Sequence, residues 1–337
     1  MSIKHRNYGI DLIKIVACIL VITLHCLPPT NSVVKNSIFN SGLYYAGTLA
    51  IPVFFMASSY FVLNKQTISY LYSFNRIKNI LFVIISWVLL YSLAQFIIKH
   101  NFTFIQQLEG SAFTEVSQHN FYHFWFFWEL IIMLLLAPLM WWLLQKHFIV
   151  YIILTIAVIC ICLSVDILLH LGFSTTIQYI PQVFRFYLYI AYYLIGGIIG
   201  NLRFKRILDY ISTYFLFFMM LDIVLYVAVI AYSLWNKNII NWPYAEANYG
   251  NILVIITSSL SFCLFTISTP KFQSIIEFLI PFTMGIYMLH PFLIGKLSKL
   301  ALFSYYPSLM IIAVFVICLI ITYLALKIPV ISKLFKL

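Results

Sequence analysis

The chain has 337 residues, 64% of them apolar and 9% charged, with a formal net charge of +11. That balance excludes an ordinary soluble domain, in which about a quarter of residues are charged, and describes a polytopic helical membrane protein. The basic excess fits membrane topology and anionic headgroups; no basic surface interleaved with aromatics points to nucleic acid.

Ten apolar runs are expected to cross the membrane, at about 10–28, 38–63, 80–98, 122–145, 148–170, 183–202, 208–235, 250–268, 274–296 and 308–328. They predict an all-α bundle forming one membrane domain over 1–337, with no soluble domain appended. The first run follows Lys4 and Arg6 as a signal peptide would, but it carries Asp11 and Lys14 and lacks a small-residue cleavage site, so it is expected to be retained. With the N-terminus inside, 13 of 20 basic residues, from Lys4 and Arg6 to Lys333 and Lys336, fall on the inner side and five on the outer. The positive-inside rule then predicts that both termini are cytoplasmic. The outer loops, about Lys99 to Asn120 and Asn236 to Tyr249, carry polar residues suited to a substrate or to simple connection.

The first span holds three ionisable residues, Asp11, Lys14 and His25. A charge at the centre of a span costs roughly 2.5 to 3.5 kcal/mol on insertion scales, so such residues usually face a protein interior or a watery cavity. At 100° per residue the three fall within a sector of roughly 60°. Further along, Glu129 lies in the fourth span, Arg185 enters the sixth from outside, and Thr283, Tyr287 and His290 share one face of the ninth, ahead of Pro291. Arg185 suits an acidic glycan, a lipid phosphate or simple snorkelling to headgroups, and His290 suits either a pocket or packing. The six cysteines fall in or beside apolar runs, as small packing residues do, and the scattered histidines predict no metal site. Most of the seven tryptophans sit near span ends, as interfacial anchors do.

Several segments together resemble the membrane acyltransferase 3 family. Ile10-Asp11-Leu12-Ile13-Lys14-Ile15-Val16-Ala17 followed by His25 is similar to its opening motif, and Pro52-Val53-Phe54-Phe55-Met56-Ala57-Ser58-Ser59-Tyr60 to its second-helix motif. Arg76 stands where a basic residue follows that helix. Tyr122-His123-Phe124-Trp125-Phe126-Phe127 resembles the His-x-Trp-Phe entry to the fourth helix, Gly196, Gly197 and Gly200 a small-residue patch, and Gly285-Ile286-Tyr287-Met288-Leu289-His290-Pro291 the late Gly-x-Tyr-x-x-His-Pro element. Two positions depart from the pattern. Lys14 replaces the commoner Arg and lacks its rigid fork for phosphate, and Ser59 replaces the usual Gly.

The resemblance implies an integral O-acyltransferase of the bacterial inner membrane, moving acetyl from cytoplasmic acetyl-CoA, or another acyl group from acyl-CoA, to a hydroxyl of a surface or lipid-linked glycan, with lipids as surroundings and no permanently bound cofactor. Such a reaction needs a base acting near neutral pH, for which histidine is suited. His25 is the first candidate. Glu129 is the second, and is also read as a partner for Arg185 or Lys14; Asp11 joins them, either orienting or neutralising Lys14. Lys14, Arg76 and Lys78 are the donor-phosphate candidates, with plain topology signalling as the other reading of Arg76 and Lys78. Ser58, His123, Trp125, Arg185, Tyr287 and His290 are acceptor or pocket candidates, Ser58 also as a nucleophile. A transporter or flippase of a lipid-linked glycan or small solute is the alternative, although no paired interrupted segments mark two inverted halves.

Overall fold

The structure, a computed structural model, describes residues 6–113 and 120–335; Lys4, Lys336 and residues 114–119, in the loop from about Lys99 to Asn120, lie outside these. Ten apolar helices follow one another: α1 (Tyr8–Cys26), α2 (Ile38–Val62), α3 (Tyr70–Lys99), α4 (Tyr122–Lys146), α5 (Phe148–Gln178), α6 (Gln182–Ile199), α7 (Phe215–Ile239), α8 (Ile252–Ile267), α9 (Gln273–Leu297) and α10 (Pro307–Leu326). Among the described residues nine of them are long and apolar enough to cross a membrane, and α8, with 16 residues, is the shorter one. At 1.5 Å per residue α8 is about 24 Å long.

The helices differ from the apolar runs where capping and backbone breaks override hydropathy. The third begins ten residues earlier than expected, because the Ser69 hydroxyl accepts the Tyr72 amide at 3.2 Å and starts the helix at Tyr70. Arg76 and Lys78 therefore ride on the opening turns of α3 instead of a connecting loop. The seventh run divides at Tyr214 (φ −107°, ψ 37°), which separates a nine-residue helix, Lys205–Thr213, from α7. α5 runs on past 170 through a wide turn at Leu169–Phe173, where Gly172 takes φ 97°, a left-handed value that glycine supplies without strain. Single 3-10 turns interrupt α2 at Gly47–Leu49 and α9 at Ile280–Phe282.

Hydrogen bonds between helix ends fix the up-and-down order. Asn7, which caps α1, donates to the Thr266 carbonyl near the end of α8 at 2.9 Å. Asn64, just past α2, donates to the Gly197 carbonyl near the end of α6 at 3.1 Å, and Trp141 near the end of α4 donates to the Lys65 carbonyl at 2.9 Å. The start of α1 and the ends of α2, α4, α6 and α8 are tied in these pairs, as alternating helices require. α1 lies at the centre, packed against α2, α8, α9 and α10. α2 and α6 approach closely at Gly196, where a Cβ would stand 2.3 Å from both the Met56 carbonyl and the Ser59 hydroxyl. Close approach at this contact thus depends on Gly196, and Ser59 fills the space opposite by donating to the Met56 carbonyl at 3.1 Å.

Candidate active site

Three histidines from three helices meet at one end of the bundle. His25 comes from the last turn of α1, His123 from the first turn of α4 and His290 from α9. The His290 ring centroid lies 5.0 Å from that of His25 and 5.6 Å from that of His123. Tyr122, beside His123, brings its hydroxyl to 3.1 Å from His25 Nδ1, and Tyr287 donates its hydroxyl to the His123 carbonyl.

These partners constrain the protons. His290 Nδ1 lies 3.3 Å from the Ile286 carbonyl, which can only accept, so Nδ1 carries hydrogen and Nε2 holds a buried lone pair with no partner. When His25 donates Nδ1–H to the Tyr122 oxygen, its Nε2 holds the lone pair that a general base needs. His123 is buried, and neither ring nitrogen closes a well-formed hydrogen bond, the Met288 backbone being a weakly placed neighbour.

His25, His123, Trp125 and Tyr287 line a cavity of about 260 Å³. Its remaining walls come from α1 and Pro28 just past it, from α2, from Tyr122 and Gln182 at the starts of α4 and α6, and from the segment 240–251, which contributes Tyr244, Ala245, Glu246 and Tyr249. That segment is tied down: Ala245 donates its amide to the Tyr44 hydroxyl at 2.9 Å, and the Tyr45 hydroxyl donates to the Pro243 carbonyl at 2.7 Å. The loop between α7 and α8 is thus a wall of the cavity. Trp125 lies against Tyr189, ring centroids 5.0 Å apart. A second, apolar cavity of about 130 Å³ shares Ile51 and Tyr287 with the first and extends past Phe54, Phe126 and Thr283.

At the opposite end of α1 the charges are paired. Asp11 takes Arg6 Nε at 2.6 Å on one carboxylate oxygen and Lys14 Nζ at 3.4 Å on the other. Arg6 also reaches Glu277 at 4.0 Å, and Tyr8 donates to the same carboxylate. The hydrogen bond to Asp11 is the main cause of the raised pKa of Arg6. Lys14 also lies 5.9 Å from the Phe61 ring centroid. Asp11 stands 14 residues before His25, about 21 Å away along the axis, so it neutralises two cations and does not reach the histidines. Arg76 and Lys78 are exposed, without an ion pair among the described residues.

Three other expectations are corrected. Arg185 is 5% exposed and pairs with Glu246, Nη1 to Oε1 at 3.0 Å, not with Glu129. Its Nε and Nη2 donate to the Ile180 and Gln178 carbonyls, each at 3.0 Å, and its guanidinium lies 4.8 Å from the Trp242 ring centroid. Held by local carbonyls and one acid, it does not line the large cavity. Glu129 is fully buried, and neither carboxyl oxygen has a partner; Lys14, already paired with Asp11, does not reach it. Ser58 lies outside both cavities and makes no side-chain hydrogen bond among the described residues, so no base stands beside it. Of the cysteines, Cys160 is exposed and the other five are buried.

Tyr122, Gln182, Glu246 and Tyr249 also belong to the lining, and sequence reading did not single them out. Glu246 is one of only nine acidic residues, and that scarcity is the sequence signal for it as the counter-charge of Arg185. Asp222 was missed as well. It lies within α7, takes the Ser261 hydroxyl at 2.9 Å and faces an apolar groove between α1, α2, α7 and α8. Among the described residues no group of three His, Cys, Asp or Glu side chains is placed to share a metal ion.

Comparison with known proteins bears on nearly the whole chain. Over 97 residues the sequence is 32% identical to an amino-acid racemase of Enterococcus faecalis, a match covering 27% of this chain and 12% of that protein. The match spans about an eighth of that relative, so the racemase name describes the relative and not this chain. No solved structure matches. The family model described as an acyltransferase domain matches residues 7–327, which takes in α1 through α10 and every residue of the histidine cavity. The chain belongs to the acyltransferase 3 family.

Proposed function

We propose that the protein transfers an acyl group, acetyl from cytoplasmic acetyl-CoA in the simplest case, to a hydroxyl of a cell-surface or lipid-linked glycan, with His25 as general base. One observation carries this reading: a histidine bonded to Tyr122 opens onto a cavity at one end of α1, while Lys14 stands near the other end of the same helix. Lys14 and His25 are about 16 Å apart along the axis, within reach of the pantetheine arm of coenzyme A.

In this mechanism the acceptor enters the histidine cavity and the donor approaches from the Lys14 end. Lys14, still partly exposed beside Asp11, meets the donor phosphates together with Arg76 and Lys78 on α3. The apolar cavity beside Tyr287 receives the thioester end. His25 Nε2 takes the acceptor hydroxyl proton as that oxygen attacks the thioester carbonyl and forms the new C–O bond. Collapse of the tetrahedral intermediate breaks the C–S bond, and the proton passes from His25 to the departing thiolate. The Tyr122 hydroxyl holds the imidazole at Nδ1 throughout. Both termini face the cytoplasm, where the basic residues concentrate.

The test is to supply acetyl-CoA labelled in the acetyl group to membranes containing the protein and to follow label into the glycan fraction. Transfer that depends on the protein supports the reading. Uptake or flipping of a solute in vesicles that lack any acyl donor would favour a transporter instead.

A further inference from the structure

We infer that the acceptor subsite reads uncharged sugar hydroxyls through Glu246 and Gln182, and turns acidic sugars away. The inference rests on the acyl-transfer reading above and gives the acceptor a chemical class.

Among the described residues the walls of the histidine cavity contain no lysine or arginine, and Glu246 is the acidic side chain there. The nearby cation, Arg185, has each of its three nitrogens committed, to Glu246 and to two backbone carbonyls, and its flat face committed to Trp242. Buried among these partners and outside the cavity lining, it anchors Glu246. Gln182 completes the anchor by donating Nε2 to the second Glu246 oxygen at 2.8 Å.

A carboxylate has about four acceptor positions, and these two bonds fill two of them. Glu246 keeps 23% of its side chain exposed and lines the cavity, so the remaining positions can accept from a pair of hydroxyls. Fixing by Arg185, Gln182 and the tethered 240–251 segment spares the acceptor the cost of ordering its partner. Trp125 and Tyr244 add aromatic faces for the apolar side of a sugar ring. A uronate or phosphate in the same place would set a second negative charge against Glu246, with no lysine or arginine among the described lining residues to balance it.

The experiment uses the full chain in nanodiscs, with the intrinsic tryptophan fluorescence as readout. The probes are methyl glucoside, methyl galactoside and methyl mannoside, each matched to its uronide, which differs by a carboxylate at C6. At least one neutral glycoside is expected to bind saturably and at least tenfold more tightly than its uronide. Glu246→Gln, which preserves shape and removes the charge, should narrow that ratio to below about threefold, and Gln182→Ala should weaken the neutral sugar without restoring the uronide. Equal or tighter binding of the uronide, or no binding of any neutral glycoside, overturns the inference. Labelled transfer is measured on the same preparation. Neutral-selective binding without transfer would sink the acyl-transfer reading and leave the subsite standing, whereas transfer that prefers uronides would do the reverse.

Discussion

The Tyr122 hydroxyl stands 3.1 Å from His25 Nδ1, joining the first turn of α4 to the last turn of α1 and leaving Nε2 as the ring atom free for chemistry. Tyr122→Phe removes this partner while keeping the ring. A neutral hydrogen bond of this kind contributes about 1 kcal/mol, so kcat is expected to fall about fivefold to tenfold with the KM for acetyl-CoA unchanged. Steady-state kinetics on purified protein decides; a change confined to the donor KM would place Tyr122 elsewhere in the mechanism.

At the other end of α1, Asp11 balances Arg6 and Lys14. Lys14→Ala should raise the KM for acetyl-CoA several-fold and leave that for the acceptor alone, whereas Lys14→Arg should hold or improve it, because the guanidinium fork grips phosphate through two donors. Asp11→Asn should lower protein abundance by leaving Lys14 uncompensated and Arg6 with Glu277 as its counter-charge, without changing the kinetic signature of His25. An effect of Lys14→Ala on acceptor use alone would contradict the donor role.

The two ends of α1 differ in how much of them sequence could reveal. Composition and hydropathy located all ten apolar helices, because an unpaired backbone has no alternative to the helix in lipid. The break at Tyr214 and the early start at Tyr70 escaped notice, since each depends on local backbone geometry that an apolar average smooths over. Within the candidate site, the spacing of Asp11, Lys14 and His25 was readable on one helix. The approach of His290 to His25, and of Glu246 to Arg185, was not, because each joins distant parts of the chain through packing alone. For the same reason the sequence offers Glu129 as a partner for Arg185 or Lys14, whereas Arg185 pairs with an acid in a loop and Lys14 with Asp11.

Arg185→Ala is expected to act on stability. It strands the Glu246 carboxylate and two backbone carbonyls, and removing one partner of a buried ion pair costs about 3 to 5 kcal/mol. Thermal unfolding in detergent should show a clearly lowered midpoint and reduced abundance. Unchanged stability with a selective loss of acidic acceptors would instead make Arg185 a substrate contact.

The opposed positions of Lys14 and His25 on α1 predict that donor and acceptor enter from opposite membrane faces. In sealed vesicles of known orientation, transfer should require acetyl-CoA on the face bearing the helix ends rich in basic residues and acceptor on the other. Transfer only when both are supplied to the same face would refute the crossing geometry while leaving acyl transfer intact.

The most direct measurement is labelled acetyl transfer by His25→Ala beside the unaltered protein, at matched abundance in the membrane. The substitution leaves α1 apolar enough to insert, so the protein should accumulate normally. Transfer should fall at least a hundredfold, in keeping with loss of a general base, with acetyl-CoA still bound at the Lys14 end. Transfer near the unaltered rate would contradict the assignment of His25 and, with it, the mechanism built on the histidine cavity.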